Sequence, residues 1–142
     1  RARDALRGLD VLGAPPHALQ DRPSGQRRLL AMRAIRDVPV KLYVESFRQK
    51  IERTGNLATS SLRSVRVDPV VIVAIRSDGS VEDISFVRSS GRPDVDQAIL
   101  NIVKINARYS AFPPNIADRY DVIEIRRVWS FDETLRLIEE VN

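Results

Sequence analysis

The residue types that could act as catalysts or metal ligands are few here and badly placed to cooperate. His17 is the sole histidine, and there is no cysteine, which removes disulfides, thiolate catalysis and cysteine-based zinc sites. With no carboxylate cluster beside it, His17 reads as a surface loop residue rather than a base or ligand. Asp94 and Asp96 look like a carboxylate pair, yet at i and i+2 on a helix they do not face each other. Acids in a first helical turn are favoured by the dipole instead. Ser89-Ser90-Gly91 has neither the strand–turn–helix setting of a nucleophile elbow nor a histidine partner. Asp78-Gly79 suits a tight turn and not a calcium loop. The chain therefore reads as a protein with no catalytic, cofactor or metal site, and not as an enzyme.

The remaining chemistry is that of binding. Trp129 and Phe131 are either core residues or an aromatic contact to a bound strand, and packing is the reading favoured here. Arg126 and Arg127 are read as solvated, with contact to an acidic peptide as the alternative. The net charge of +4 is unevenly spread. Residues 1–42 hold nine Lys and Arg against four acids, whereas residues 132–142 hold one against four. Between them the charges alternate in sign, which is an ordinary solvated surface. A nucleic-acid interface would need a basic stripe with interleaved aromatics, so no nucleic-acid partner is expected. No run approaches the 18 apolar residues of a membrane span, and no signal-peptide pattern is present. The chain opens at Arg1 without a methionine, which reads as a fragment or processed form.

These side chains must be held by a small set of elements. Val70–Ile75 is almost continuously apolar, the mark of a strand inside a sheet. Val81–Ser89 alternates and reads as its flanking partner across Ser77-Asp78-Gly79-Ser80, where the Asp-Gly pair supplies a positive φ. Asp121–Phe131 is the last strand. On it Ile123, Ile125, Trp129 and Phe131 share an apolar face interrupted by Arg127, and Val122, Glu124, Arg126, Val128 and Ser130 share the other. Two helices supply cover. Val40, Tyr43, Val44, Phe47 and Ile51 form one stripe over Val40–Arg53, which Gly55-Asn56 should stop. Val95, Ala98, Ile99, Ile102 and Val103 form a second behind Pro93. Phe112-Pro113-Pro114 reads as a rigid extended link. In the N-terminal arm, Asp4–Leu12 and Gln26–Arg36 have helix-forming residues, the latter ended by Pro39. In the tail, Asp132 is expected to cap a short helix with Leu135, Ile138 and Val141 as its stripe. Both termini are expected to pack on the domain or near each other, covering the outer edge of the last strand.

Taken together, YVESFRQKIERTGNL over residues 43–57, Asp78-Gly79 within its two strands, Val95-Asp96 followed by Ala98, Phe112-Pro113-Pro114 and the closing Val128-Trp129-Ser130-Phe131 resemble the C-terminal domain of the TonB family across roughly residues 43–131. TolA is the near neighbour in fold. The resemblance implies an α+β domain with a three-stranded antiparallel sheet and two packed helices. To this the chain adds a helical or linker arm over residues 1–39 and a helical extension over 132–142, leaving 40–131 as the domain proper. It also implies a periplasmic domain anchored through the bacterial inner membrane and driven by a proton-powered motor complex there. Such a domain binds an N-terminal peptide of an outer-membrane protein by strand addition to its last strand, here Val122, Ile123, Glu124, Ile125, Arg126, Arg127, Val128, Trp129, Ser130 and Phe131. The alternative is a TolA-like or scaffolding envelope module that binds without transducing energy. An open strand edge would also admit a second copy of the chain as a homodimer. Three departures stand out: Ala58-Thr59-Ser60-Ser61 replaces the usual Tyr-Pro turn, the chain continues past Phe131, and the arm is not Pro/Lys-rich.

Overall fold

The computed structural model describes residues 26–32, 35–58, 62 and 64–140. His17 and the Asp4–Leu12 segment lie outside them. The elements run β1 (Arg28–Ala31), α1 (Val38–Ala58), β2 (Val70–Arg76), β3 (Val81–Arg88), α2 (Pro93–Asn106), the single turn α3 (Pro114–Ala117), β4 (Val122–Phe131) and β5 (Leu135–Ile138). The strands form one mixed sheet in the order β1-β4-β2-β3, with β5 also paired to β4.

The hairpin, both long helices and the last long strand fall where periodicity put them. Gly79 has φ +87°, and its N–H donates to the Arg76 carbonyl (2.8 Å). A side chain there would also place a Cβ 1.9 Å from the Tyr109 carbonyl oxygen, so both backbone conformation and space require glycine. β2 lies between β3 and β4, as its near-continuous apolar run requires. β3 shifts register against β2 between Ala74 and Ile75, which leaves Glu82 as an extra residue in a bulge.

Alternation then divides the sheet into two faces. Val71, Val73 and Ile75 of β2, Ile84 of β3, and Ile123, Ile125, Trp129 and Phe131 of β4 join one buried cluster. The stripes of α1 and α2 complete that cluster from the same side. Phe47 sits at its centre, 2% exposed, with its ring 5.1 Å from that of Tyr109. The opposite face carries Glu124, Arg126 and Val128, and neither long helix covers it among the described residues.

The elements depart from the sequence reading at four places. The sheet has five strands and mixed direction rather than three antiparallel ones. The Gln26–Arg36 segment contains a strand, β1, because pairing with β4 outweighs the helix propensity of its leucines. The expected C-terminal helix is the strand β5: Leu135 and Leu137 point to the core at a spacing of two and Arg136 points out. Gly55-Asn56 does not end α1, which continues to Ala58. A Cβ on Gly55 would lie 2.2 Å from the Leu135 side chain, so glycine is there to let β5 close on the helix.

We predict that Phe47→Ala destabilises the fold by about 3–5 kcal/mol, since it deletes a buried ring whose neighbours are fixed by the sheet. Denaturant unfolding with an unchanged midpoint would contradict this placement.

Candidate functional site

β4 is ten residues long, and β2 pairs with it from Val122 to Val128. Its other edge is where strand addition would occur. Val122 donates outward to the Arg27 carbonyl (3.1 Å), whereas Trp129 and Phe131 donate inward to Pro69 and Val67 (2.9 Å each). By the period of two, the N–H groups of Val122, Glu124 and Arg126 therefore line the outer edge.

That edge is occupied by the chain itself. β1 runs parallel along Val122–Ile125, and β5 runs antiparallel along Val128–Phe131. The two cover strands leave a gap opposite Arg126 and Arg127. Here Arg127 was expected in solvent, but it is 5% exposed on the core side of the sheet. Its guanidinium donates to the carbonyls of Ala31 (3.1 Å), Met32 (3.1 Å) and Arg126 (2.7 Å). It thus satisfies backbone acceptors where β1 ends. Burial lowers the Arg127 pKa, and the charges of Glu139 and Glu45 act against that shift. Arg126 pairs with Glu140, which follows β5.

The two covers are held differently. Leu135 and Leu137 of β5 are buried at 3% and 5% exposure. The outer edge of β5 is also bonded by α1: Asn56 accepts from Leu135 N (2.8 Å) and donates to Leu135 O (3.2 Å), and Glu52 accepts from Leu137 N (2.8 Å). β5 is thereby fixed on both edges.

β1 buries only Ala31, and Leu30 is 44% exposed. Its attachment is polar and concentrated at its start. Arg27 forks onto Asp121 (3.0 and 3.2 Å) and donates to the carbonyls of Asp118 (2.5 Å) and Ala117 (3.1 Å), and its own N–H bonds the same carboxylate (2.8 Å). Arg28 crosses the open sheet face to Glu124 on β4 (3.2 Å) and Glu82 on β3 (2.7 Å). Burial disfavours the Arg28 charge, but these carboxylates outweigh it and raise its pKa.

The other candidates resolve into structure. Trp129 and Phe131 are 1% and 2% exposed, so their side chains belong to the core. Val122, Ile123 and Ile125 are likewise buried, leaving Glu124, Arg126, Val128 and Ser130 as the partly exposed side chains of β4. Asp96 accepts hydrogen bonds from Ser89 and Ser90, and Asp94 pairs with Arg92. Among the described residues no group of acids and histidines could hold a metal ion. No helix there is long and apolar enough to cross a membrane.

The hydrogen bonds from Arg27 hold the Asp121 carboxyl down to about 2. An unfolded aspartate titrates near ~3.9, so this contact stabilises β1 fully above that pH, and its contribution is lost as pH falls through about 2. We predict that carboxyl-carbon NMR of Asp121 gives a midpoint near 2, and that Arg27→Ala raises it toward the ordinary aspartate range, with the backbone N–H of residue 27 still holding part of the shift. A midpoint unmoved by Arg27→Ala would show that the contact does not form in solution.

A family model described as TonB C terminal matches residues 41–126. No curated protein and no solved structure matches the chain. The matched stretch holds most of α1, the β2–β3 hairpin, α2, α3 and the first half of β4, while both cover strands lie outside it. That stretch is more than half of the sequence, and the chain belongs to the TonB C-terminal family of periplasmic, protein-binding domains.

Proposed function

We propose that this is the periplasmic coupling domain of a TonB-like energy transducer. It holds an extended N-terminal peptide of an outer-membrane protein by strand addition to the outer edge of β4. Sequence preceding the domain joins it to an inner-membrane anchor and a proton-driven motor. The observation that carries this reading is the state of the β4 edge at Val122–Ile125. It already accepts a parallel strand, that strand is four residues long, and it is weakly buried. An incoming peptide in the same register would make the same backbone bonds, so most of its affinity would come from the main chain. β1 would compete as a tethered rival at an effective concentration on the order of millimolar. The fraction of molecules with β1 released would therefore scale the apparent affinity.

A TolA-like or scaffolding envelope module is the second reading. What favours it is that both halves of the β4 edge are already paired, and β5 is fixed from two sides. A domain that never releases β1 would bind partners through other surfaces and transmit no pull along this strand.

Titration of the labelled protein with peptides from outer-membrane transporter N-termini separates the two. We predict chemical-shift changes over residues 27–31 and 122–126, with the β5 pairing intact. Arg126→Ala should weaken binding by only about 0–1 kcal/mol, because it removes a partly exposed ion pair and no backbone donor. Shifts centred on the Asp78-Gly79 turn or on α2, with residues 122–126 silent, would count against strand addition.

A further inference from the structure

The side chains that seat β1 indicate what the slot selects. Three carboxylates surround it: Asp121 at its mouth, Glu124 on β4, and Glu82 carried on the β3 bulge. All three lie within the stretch matched by the family model, while the arginines that meet them lie outside it. The Glu82 side chain is 9% exposed, so it meets Arg28 in a poorly solvated place where an ion pair is little screened. Past the arginines the slot becomes apolar: Leu29 packs against the core, and Ala31 is buried at its end.

We propose that the β4 slot recognises an extended peptide with two consecutive basic residues followed by apolar ones, and that residues 27–31 are its resident imitation. This deepens the strand-addition reading and rests on it. Arginine suits the first position better than lysine, because Arg27 uses its planar fork on Asp121 and still reaches two backbone carbonyls. An acidic segment would set its charges against Asp121, Glu124 and Glu82, and the slot would reject it.

The test uses the full chain and two soluble peptides. One has the sequence of residues 26–32, and the other replaces its two arginines with glutamate. Binding is followed by backbone NMR, and the measurement is repeated in Arg27→Ala/Arg28→Ala, where the tethered rival is weakened. The proposal expects the basic peptide to bind at least about tenfold more tightly than the acidic one and to shift residues 122–126. Its affinity should rise in the double alanine variant and fall with added salt. In Glu82→Gln/Glu124→Gln the preference should shrink toward unity. Should that variant fold poorly, the two-peptide comparison in the unaltered chain decides by itself. Equal affinities with shifts at 122–126 would overturn the charge selection and leave strand addition standing. Silence at 122–126 with both peptides, in the unaltered chain and in Arg27→Ala/Arg28→Ala, would overturn both.

Discussion

An unpaired strand edge is the constraint around which this chain is organised. Among the described residues β4 is the longest strand, and β2 takes only one of its sides. A row of outward N–H and C=O groups on such a strand is a template for any extended chain nearby. The chain fills it with its own two ends. β1 arrives in parallel and β5 folds back antiparallel, so the two cannot merge into one continuous cover. The discontinuity falls at Arg126 and Arg127. There a buried guanidinium supplies the hydrogen bonds that a neighbouring strand would otherwise make to the carbonyls of residues 31 and 32.

The two halves differ in kind, and the proposed function rests on that difference. β5 is sealed by buried leucines and by hydrogen bonds from α1, with Gly55 shaped to admit it. β1 is short, part-exposed and held mainly by charged contacts of Arg27, just before it, and of Arg28, its first residue. The Arg27–Asp121 pair is exposed, so it contributes little and weakens with salt, whereas Arg28 meets Glu82 in a more sheltered place. On the strand-addition proposal, such an attachment protects the edge from self-pairing while remaining exchangeable for a better ligand. A domain that must grip a peptide and later let it go needs a site of that type, covered at rest and open on demand.

Much of this architecture was legible in the residues. Both long helices announce themselves through clean apolar stripes, and the hairpin through Asp78-Gly79 between β-branched runs. The last long strand shows its faces by alternation, and Arg127 breaks that alternation visibly. A charge on an apolar face is a signal for a buried, backbone-bonded arginine, but two of the three carbonyls it meets lie almost a hundred residues away. β1 and β5 were not legible for a related reason. Leu29, Leu30 and Met32 are good helix formers, and Leu135 and Ile138 sit at helical spacing. Over four residues neither period can win, so the decision passes to the partner, here the free side of β4. Gly55 misled in the same way: it looks like a helix stop and is instead a packing contact with β5.

Native-state hydrogen exchange tests the central claim most directly, because it reads the stability of each half of the cover separately. The account predicts that the amides of residues 28–31 and the outward amides of Val122 and Glu124 exchange through a local opening well below the global unfolding free energy. The amides of Leu135 and Leu137 should exchange only with the core. If β1 and β5 exchanged together, both at the global limit, the slot would not be exchangeable and the account would be wrong.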